Sequence, residues 1–184
     1  QGVIFTDLDT AVRERPELLR DYFMTRGVTP ALGKFEAQHG ALWGGGVFLY
    51  VPSGVSVELP FRAGIWQASA HAAIFPHTLI IAEPGSSVKY IEAYGSETQP
   101  DAALSNHAIE LFVKQDARLT FVTLQDYGRH TYSLGAQHAL LDRDAELQWI
   151  IGTLGSKLTK THHELFLEGP GASSRERAIA LDAN

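Results

Sequence analysis

The sequence predicts a mainly β fold: a right-handed parallel β-helix-like stack of strands behind a short N-terminal helical segment. Three observations carry this. Residues 6–43 show helical spacings, whereas from Val47 onward apolar residues alternate or run in strand-length blocks. A unit of apolar strand, small or acidic turn and alternating strand then recurs, with Pro52, Pro84, Lys114, Asp142 and Gly169 marking intervals of 32, 30, 28 and 27 residues. A quasi-period of that length points to stacked units, because none can bury its apolar side alone. Finally, 184 residues at 45% hydrophobic and 20% charged have the composition of one globular domain.

In chain order, Thr6 or Asp7 supplies a cap for a first helix, since a short side-chain oxygen accepts from orphan first-turn amides. Asp9 adds a negative charge at the same helix start. Pro16 fits the first position of a new helical turn, followed by Leu18, Leu19, Tyr22 and Phe23 at helical spacing, with Gly27 as a stop. A second helix is expected from Lys34 to Trp43, ended by Gly44, Gly45 and Gly46. Those glycines read as a helix stop feeding a strand, because no Lys-Ser/Thr pair or helix follows as in a phosphate cradle.

The β region opens with Val47–Val51 and Val55–Leu59 around the turn Pro52-Ser53-Gly54. Leu79–Ala82 leads through Glu83–Ser86 to Val88–Ile91, and Ile109–Val113 through Lys114–Ala117 to Leu119–Val122. Ala139–Leu141 leads through Asp142–Ala145 to Leu147–Ile150, and Leu165–Leu167 through Glu168–Ala172 to Ser173–Leu181. A β-sandwich or jelly roll of hairpins is the competing arrangement. The mutual likeness of the five turns favours stacked coils, and the crossover preference favours the right hand. The shrinking intervals imply excursions of varying length between coils. Phe121, Tyr90 and Trp149, at alternate strand positions, are expected to fill the interior.

Composition removes several function classes. Zero cysteine excludes thiolate catalysis, disulfides and Cys-ligated zinc or iron–sulfur centres within this sequence. Fifteen Lys and Arg against twenty-one Asp and Glu give −6, with no basic run to hold a nucleic-acid backbone. No apolar run approaches the roughly 20 residues of a membrane helix. No signal segment opens the sequence, and Gln1 in place of Met reads as a trimmed start.

The search for chemistry yields no catalytic, cofactor-binding or metal-binding residue. The eight histidines (His39, His71, His77, His107, His130, His138, His162, His163) show no tight ligand spacing, and adjacent His162 and His163 would face opposite sides of a strand. No Gly-x-Ser-x-Gly elbow is present, and Gly85-Ser86-Ser87 repeats the other turns. Gly152–Gly155 and Gly169–Gly171 are expected to be corners, lacking a following helix to receive an anion. A carbohydrate-binding or carbohydrate-processing β-helix would need two carboxylates facing a cleft, for which Glu110 and Asp126 are available without anything to place them together.

Gly2–Ala11, Lys34-Phe35, Ala41–Trp43 with its glycines, Val47–Pro52, Val57–Pro60, Thr78–Ala82, Gly85–Val88, Gly155–Lys157 and Glu168–Ala172 follow one another in one order. Together these segments resemble the SufB/SufD family of iron–sulfur cluster assembly scaffolds. Gln125–His130 is similar to the SufD form, as is the lack of cysteine. The resemblance implies a cytoplasmic, non-catalytic scaffold subunit partnered by SufB-like and SufC-like ATPase subunits, on whose full complex an iron–sulfur cluster is assembled. It implies no enzyme activity, membrane contact or nucleic-acid contact, and no cofactor in this stretch. Residues 1–184 then read as a single core domain, with 1–46 as the helical opening and 47–184 as stacked coils, truncated at both ends. The matching positions for cluster and ATPase contacts would lie outside it. Exposed strand edges are expected to promote self-association.

Overall fold

The computed structural model describes residues 2–69, 71–97 and 101–181; Gln1 and Asn184, the limits of the expected domain, lie outside them. The chain opens with a strand, β1 (Ile4–Asp7), and three short helices, α1 (Leu8–Glu14), α2 (Pro16–Leu19) and α3 (Lys34–Leu42). Thereafter two sets of strands alternate. β2 (Gly46–Val51), β5 (His77–Ala82), β7 (Ala103–Val113), β9 (Thr131–Leu141) and β11 (Leu158–Leu167) lie side by side in one sheet, joined by β1 and the short β4 (Ala73–Ile74). β3 (Phe61–Gln67), β6 (Ser87–Ser96), β8 (Arg118–Asp126), β10 (Glu146–Gly155) and β12 (Ser173–Ala180) form the second. Among the described residues, every pairing between strands of successive coils is parallel, and only β1 with β2 is antiparallel. The fold is a parallel β-helix of five coils. A sandwich of hairpins would need antiparallel partners throughout.

The five marker turns are the corners that carry the chain from the first sheet to the second. Each closes with the amide three residues along: Val55 N–H donates to Pro52 O, Ser86 to Glu83, Ala117 to Lys114, Ala145 to Asp142 and Ala172 to Gly169. The third residue of each stands at positive φ: Gly54 (70°), Gly85 (69°), Asp116 (57°), Asp144 (56°) and Gly171 (74°). That is a type II turn, which demands the left-handed region where glycine is free and Asp is among the better-tolerated alternatives. The same residues bond from coil to coil. Gly54 N–H donates to Pro84 O, Gly85 to Gln115 O, Asp116 to Arg143 O and Asp144 to Pro170 O, at 2.9–3.1 Å.

The return crossings, 68–76, 97–102, 127–130 and 156–157, shorten coil by coil and account for the falling intervals. Between the sheets lies a core built on ladders such as Val51, Ala82, Val113 and Leu141, in register across four coils. Tyr90, Phe121 and Trp149 are fully buried and stacked along it, with centroids 5.4 and 5.3 Å apart. A second apolar layer covers the outer face of the first sheet: Leu8, Ala11 and Leu19 pack on Phe48, Leu79, Ile81, Phe112 and Leu140.

Three expectations need correction. The helical reading of 6–43 is too continuous. Ile4–Asp7 is a strand, with Asp7 capping α1 by accepting from Thr10 N–H at 2.8 Å, and α2 spans four residues. Tyr22 and Phe23 still pack on the sheet, but the backbone beyond them unwinds because the Met24 and Val28 amides turn inward to Glu110. Val55–Leu59 forms only a single bridge, Ser56 to Ser87, since Pro60 has no N–H for a ladder; the strand of that coil is β3. Gly152–Gly155 ends strand β10 instead of turning a corner; a Cβ at Gly152 would lie 2.9 Å from the Leu124 side chain.

Gly85→Val should destabilise the protein by about 1–2 kcal/mol, a β-branched residue being forced into the left-handed region. Asp116→Gly should shift the urea midpoint far less, and equal losses for the two would refute the corner assignment.

Candidate functional site

Period-two alternation places Ala108, Glu110 and Phe112 of β7 on the outer face of the first sheet, beneath the N-terminal layer. Glu110 is fully buried there. Its Oε2 accepts from Met24 N–H at 2.9 Å and lies 2.8 Å from His77 Nε2; its Oε1 accepts from Val28 N–H at 2.9 Å. A Cβ at Gly27 would stand 2.5 Å from Oε1, so only glycine lets the backbone come this near. His77 Nδ1 lies 3.0 Å from Nε2 of His39 on α3, and His39 Nδ1 lies 2.9 Å from Asn106 O.

Hydrogen-bond roles fix the protons in this chain. Asn106 O and the Glu110 carboxylate both accept, so the three links between them require three protons, where two neutral imidazoles carry two. Burial, with His77 alongside, pulls the His39 imidazole down to about 4. His39 is therefore neutral, donating from Nδ1 to Asn106 and accepting at Nε2. His77 then donates from Nδ1 to His39 and faces the Glu110 carboxylate with Nε2.

The same row continues across later coils, where Glu110, His138 and Glu164 are in register. His138 Nδ1 donates to Gly27 O at 3.0 Å, while its Nε2 lies 3.5 Å from Glu164, which also meets His162 Nε2 at 3.1 Å. Burial lowers the His138 pKa as well. These bonds fasten residues 24–28 to the sheet at three points.

Inside the coils, Glu92 is buried and accepts from Thr78, Tyr90 and Tyr94 hydroxyls at 2.5, 3.0 and 2.9 Å. Burial raises its pKa against the pull of those donors, and raises both tyrosines. Farther along, His107 lies 3.0 Å from Gln137 Nε2, and burial holds its pKa at about 4. A cavity of about 300 Å³ opens there, with Thr123, Gln125 and His163 on its wall. His163 faces inward against Trp149, 4.2 Å between centroids, and bonds Glu176 at 2.6 Å. His162 faces outward, as strand alternation predicts.

His71 is exposed and pairs with Asp101, and His130 is exposed. Sequence spacing missed the His39–His77–Glu110 cluster because its members come from different coils. Adding one coil interval would have aligned Glu110, His138 and Glu164, which are 28 and 26 residues apart. Glu110 and Asp126 are not brought together: one is buried on the first sheet's outer face, the other exposed at the end of β8 on the second. Among the described residues, no three His, Asp or Glu side chains converge as a metal site. Glu110 and His138 hold backbone groups of the N-terminal layer, whereas Glu92 and His107 meet side chains inside the coils.

A family model described as SUF system FeS cluster assembly, SufBD core domain, matches residues 65–184. This chain belongs to the SufBD family. A SufBD family protein of Staphylococcus saprophyticus is 36% identical over 182 residues, 98% of this chain and 39% of that protein. The iron–sulfur cluster assembly protein SufB of Bacillus subtilis is 33% identical over 181 residues, again 98% and 39%. The SufBD chain thus spans about two-fifths of the length of the curated relatives it matches, and the likeness includes the N-terminal layer.

Two tests follow from the buried groups of this SufBD chain. His39 and His107 titrate near 4 when folded and near ~6.5 when unfolded, so the unfolded chain binds more protons in between. Stability should fall as pH drops from about 6.5 toward 4, by up to about 3 kcal/mol for each histidine. A His39→Asn, His107→Gln double variant should flatten that slope in urea titrations. Glu110→Ala should cost about 3–5 kcal/mol and speed amide exchange at Met24 and Val28; unchanged exchange there would count against the fastening role.

Proposed function

We propose that this chain is the core of a SufD-like, non-catalytic scaffold subunit of a SUF-type iron–sulfur cluster assembly complex. In this reading it acts in the cytoplasm beside a SufB-like subunit and a SufC-like ATPase. The cluster is cargo of the whole complex, and no cofactor is assigned to the residues described here. The observation that carries the reading is the family match across residues 65–184, which takes in strands from all five coils.

Physical features support it. The sequence has no cysteine, and His39, His77, His138 and Glu110 are committed to holding the N-terminal layer. No helix among the described residues is long and apolar enough to cross a membrane. The Gln125–His130 segment favours the SufD over the SufB form. Among the described residues, β11 and β12 are the last strands of their sheets, so their outer backbone groups are available for further coils or for a second subunit. We assign the self-association expected of this chain to that edge.

Co-expression with a tagged SufC-like ATPase and its SufB-like partner should give stoichiometric co-elution and a complex that accumulates iron–sulfur cluster. Elution of the chain alone, or turnover of an oligosaccharide by it, would overturn the assignment. Sedimentation should show association rising with concentration; monomer throughout would remove the edge from the argument.

A further inference from the structure

The two sheets are treated differently on their outer sides. The first is covered by the N-terminal helices, whereas no helix among the described residues packs on the second. That bare face is divided along the strand direction. Toward the corners its outward positions carry Arg62, Lys89, Arg118, Arg175 and Arg177, with the carboxylates Glu58 and Glu146 among them, the latter held by Arg118 at 3.4 Å. Among the described residues, Arg62, Lys89, Arg175 and Arg177 make no ion pair. With Asp126 counted as the third acid against these five cations, the described part of this face is net positive in a chain whose formal charge is −6.

Toward the other end the face is apolar. Trp66, Leu124, Leu154 and Ile179 are 62%, 41%, 37% and 64% exposed. The Trp66 ring lies against Gly95, where a Cβ would come within 2.4 Å of it. Small residues beside it (Gly64, Ala93, Gly155) leave a cleft of about 710 Å³, with Asp126 and Arg129 at its rim. Leaving this much apolar surface next to unpaired cations costs solvation on one side and ion pairing on the other.

We propose that the outer face of the second sheet docks an acidic, amphipathic polypeptide segment, which seats an apolar side chain in the Trp66 cleft and lays carboxylates across the arginine rows. The spacing is set by the strands. Four residues separate Trp66 from Arg62, about 13 Å at ~3.3 Å per residue, and five coils span about 19 Å at ~4.8 Å per strand. A helix therefore meets both halves with an apolar anchor and a carboxylate about two turns apart. An anionic bilayer is a poorer fit: it faces the whole acidic molecule, while a short segment lies within the ~8 Å Debye length of the local cations. This proposal does not depend on the scaffold reading.

The probes are two fluorescently labelled amphipathic peptides of about four helical turns, one Leu/Glu and one Leu/Lys, and phosphatidylcholine/phosphatidylserine vesicles, each titrated against the full chain. The Leu/Glu peptide should bind, with affinity falling as salt rises. The triple change Arg62→Glu, Arg175→Glu, Arg177→Glu should weaken it by about tenfold or more, and Trp66→Ala by a similar factor. All four positions are exposed, and circular dichroism should confirm an unchanged fold. Equal binding of the Leu/Lys peptide, indifference to the charge reversals, preference for vesicles, or no binding because another part of the full chain already fills the cleft would each overturn the proposal.

Discussion

The whole architecture depends on one backbone constraint, the left-handed residue repeated at five corners and bonded from each coil to the next. Because Gly54, Gly85, Asp116, Asp144 and Gly171 are stacked, the strands on either side of every corner start level with their neighbours. A slip of one residue would turn each apolar ladder outward. The corner thus converts a local preference of Gly and Asp into the register of both sheets, and the register in turn builds the dry column of Tyr90, Phe121 and Trp149.

What was legible in the sequence is what repeats. The corners, the strands beside them, the inward aromatics and the Asp7 cap all have local causes that a reader of residues can weigh. The irregular stretch after Phe23 was hidden because the Met24 and Val28 amides are held by Glu110, more than eighty residues away. Val55–Leu59 looked like a strand by composition, and the missing amide of Pro60 outweighed it. The buried cluster was illegible for a related reason: His39, His77 and Glu110 touch only once coils are superposed, and neither member of a pair lies near the other in sequence. Its row partners Glu110, His138 and Glu164 were recoverable in principle by stepping one coil at a time.

The polar groups in this SufBD chain are spent on cohesion. A carboxylate that receives two backbone amides and an imidazole, deep under an apolar layer, stabilises a single placement of that layer. The interior Glu92, ringed by hydroxyls, has the same character. Among the described residues, one side of the molecule is covered by its own N-terminal layer and the outer face of the second sheet carries no helix.

The unequal returns have a consequence for how such a chain can vary. Since the corners alone set the alignment, a crossing such as 127–130 can gain or lose residues with all strands left where they are, at a closure cost of only about 0.6 kcal/mol per doubling of its length. A single residue inserted into a corner would instead offset everything downstream. Length change is therefore tolerated along one flank of the molecule and forbidden along the opposite one, so that new loops can accumulate on the first while the second stays fixed in outline.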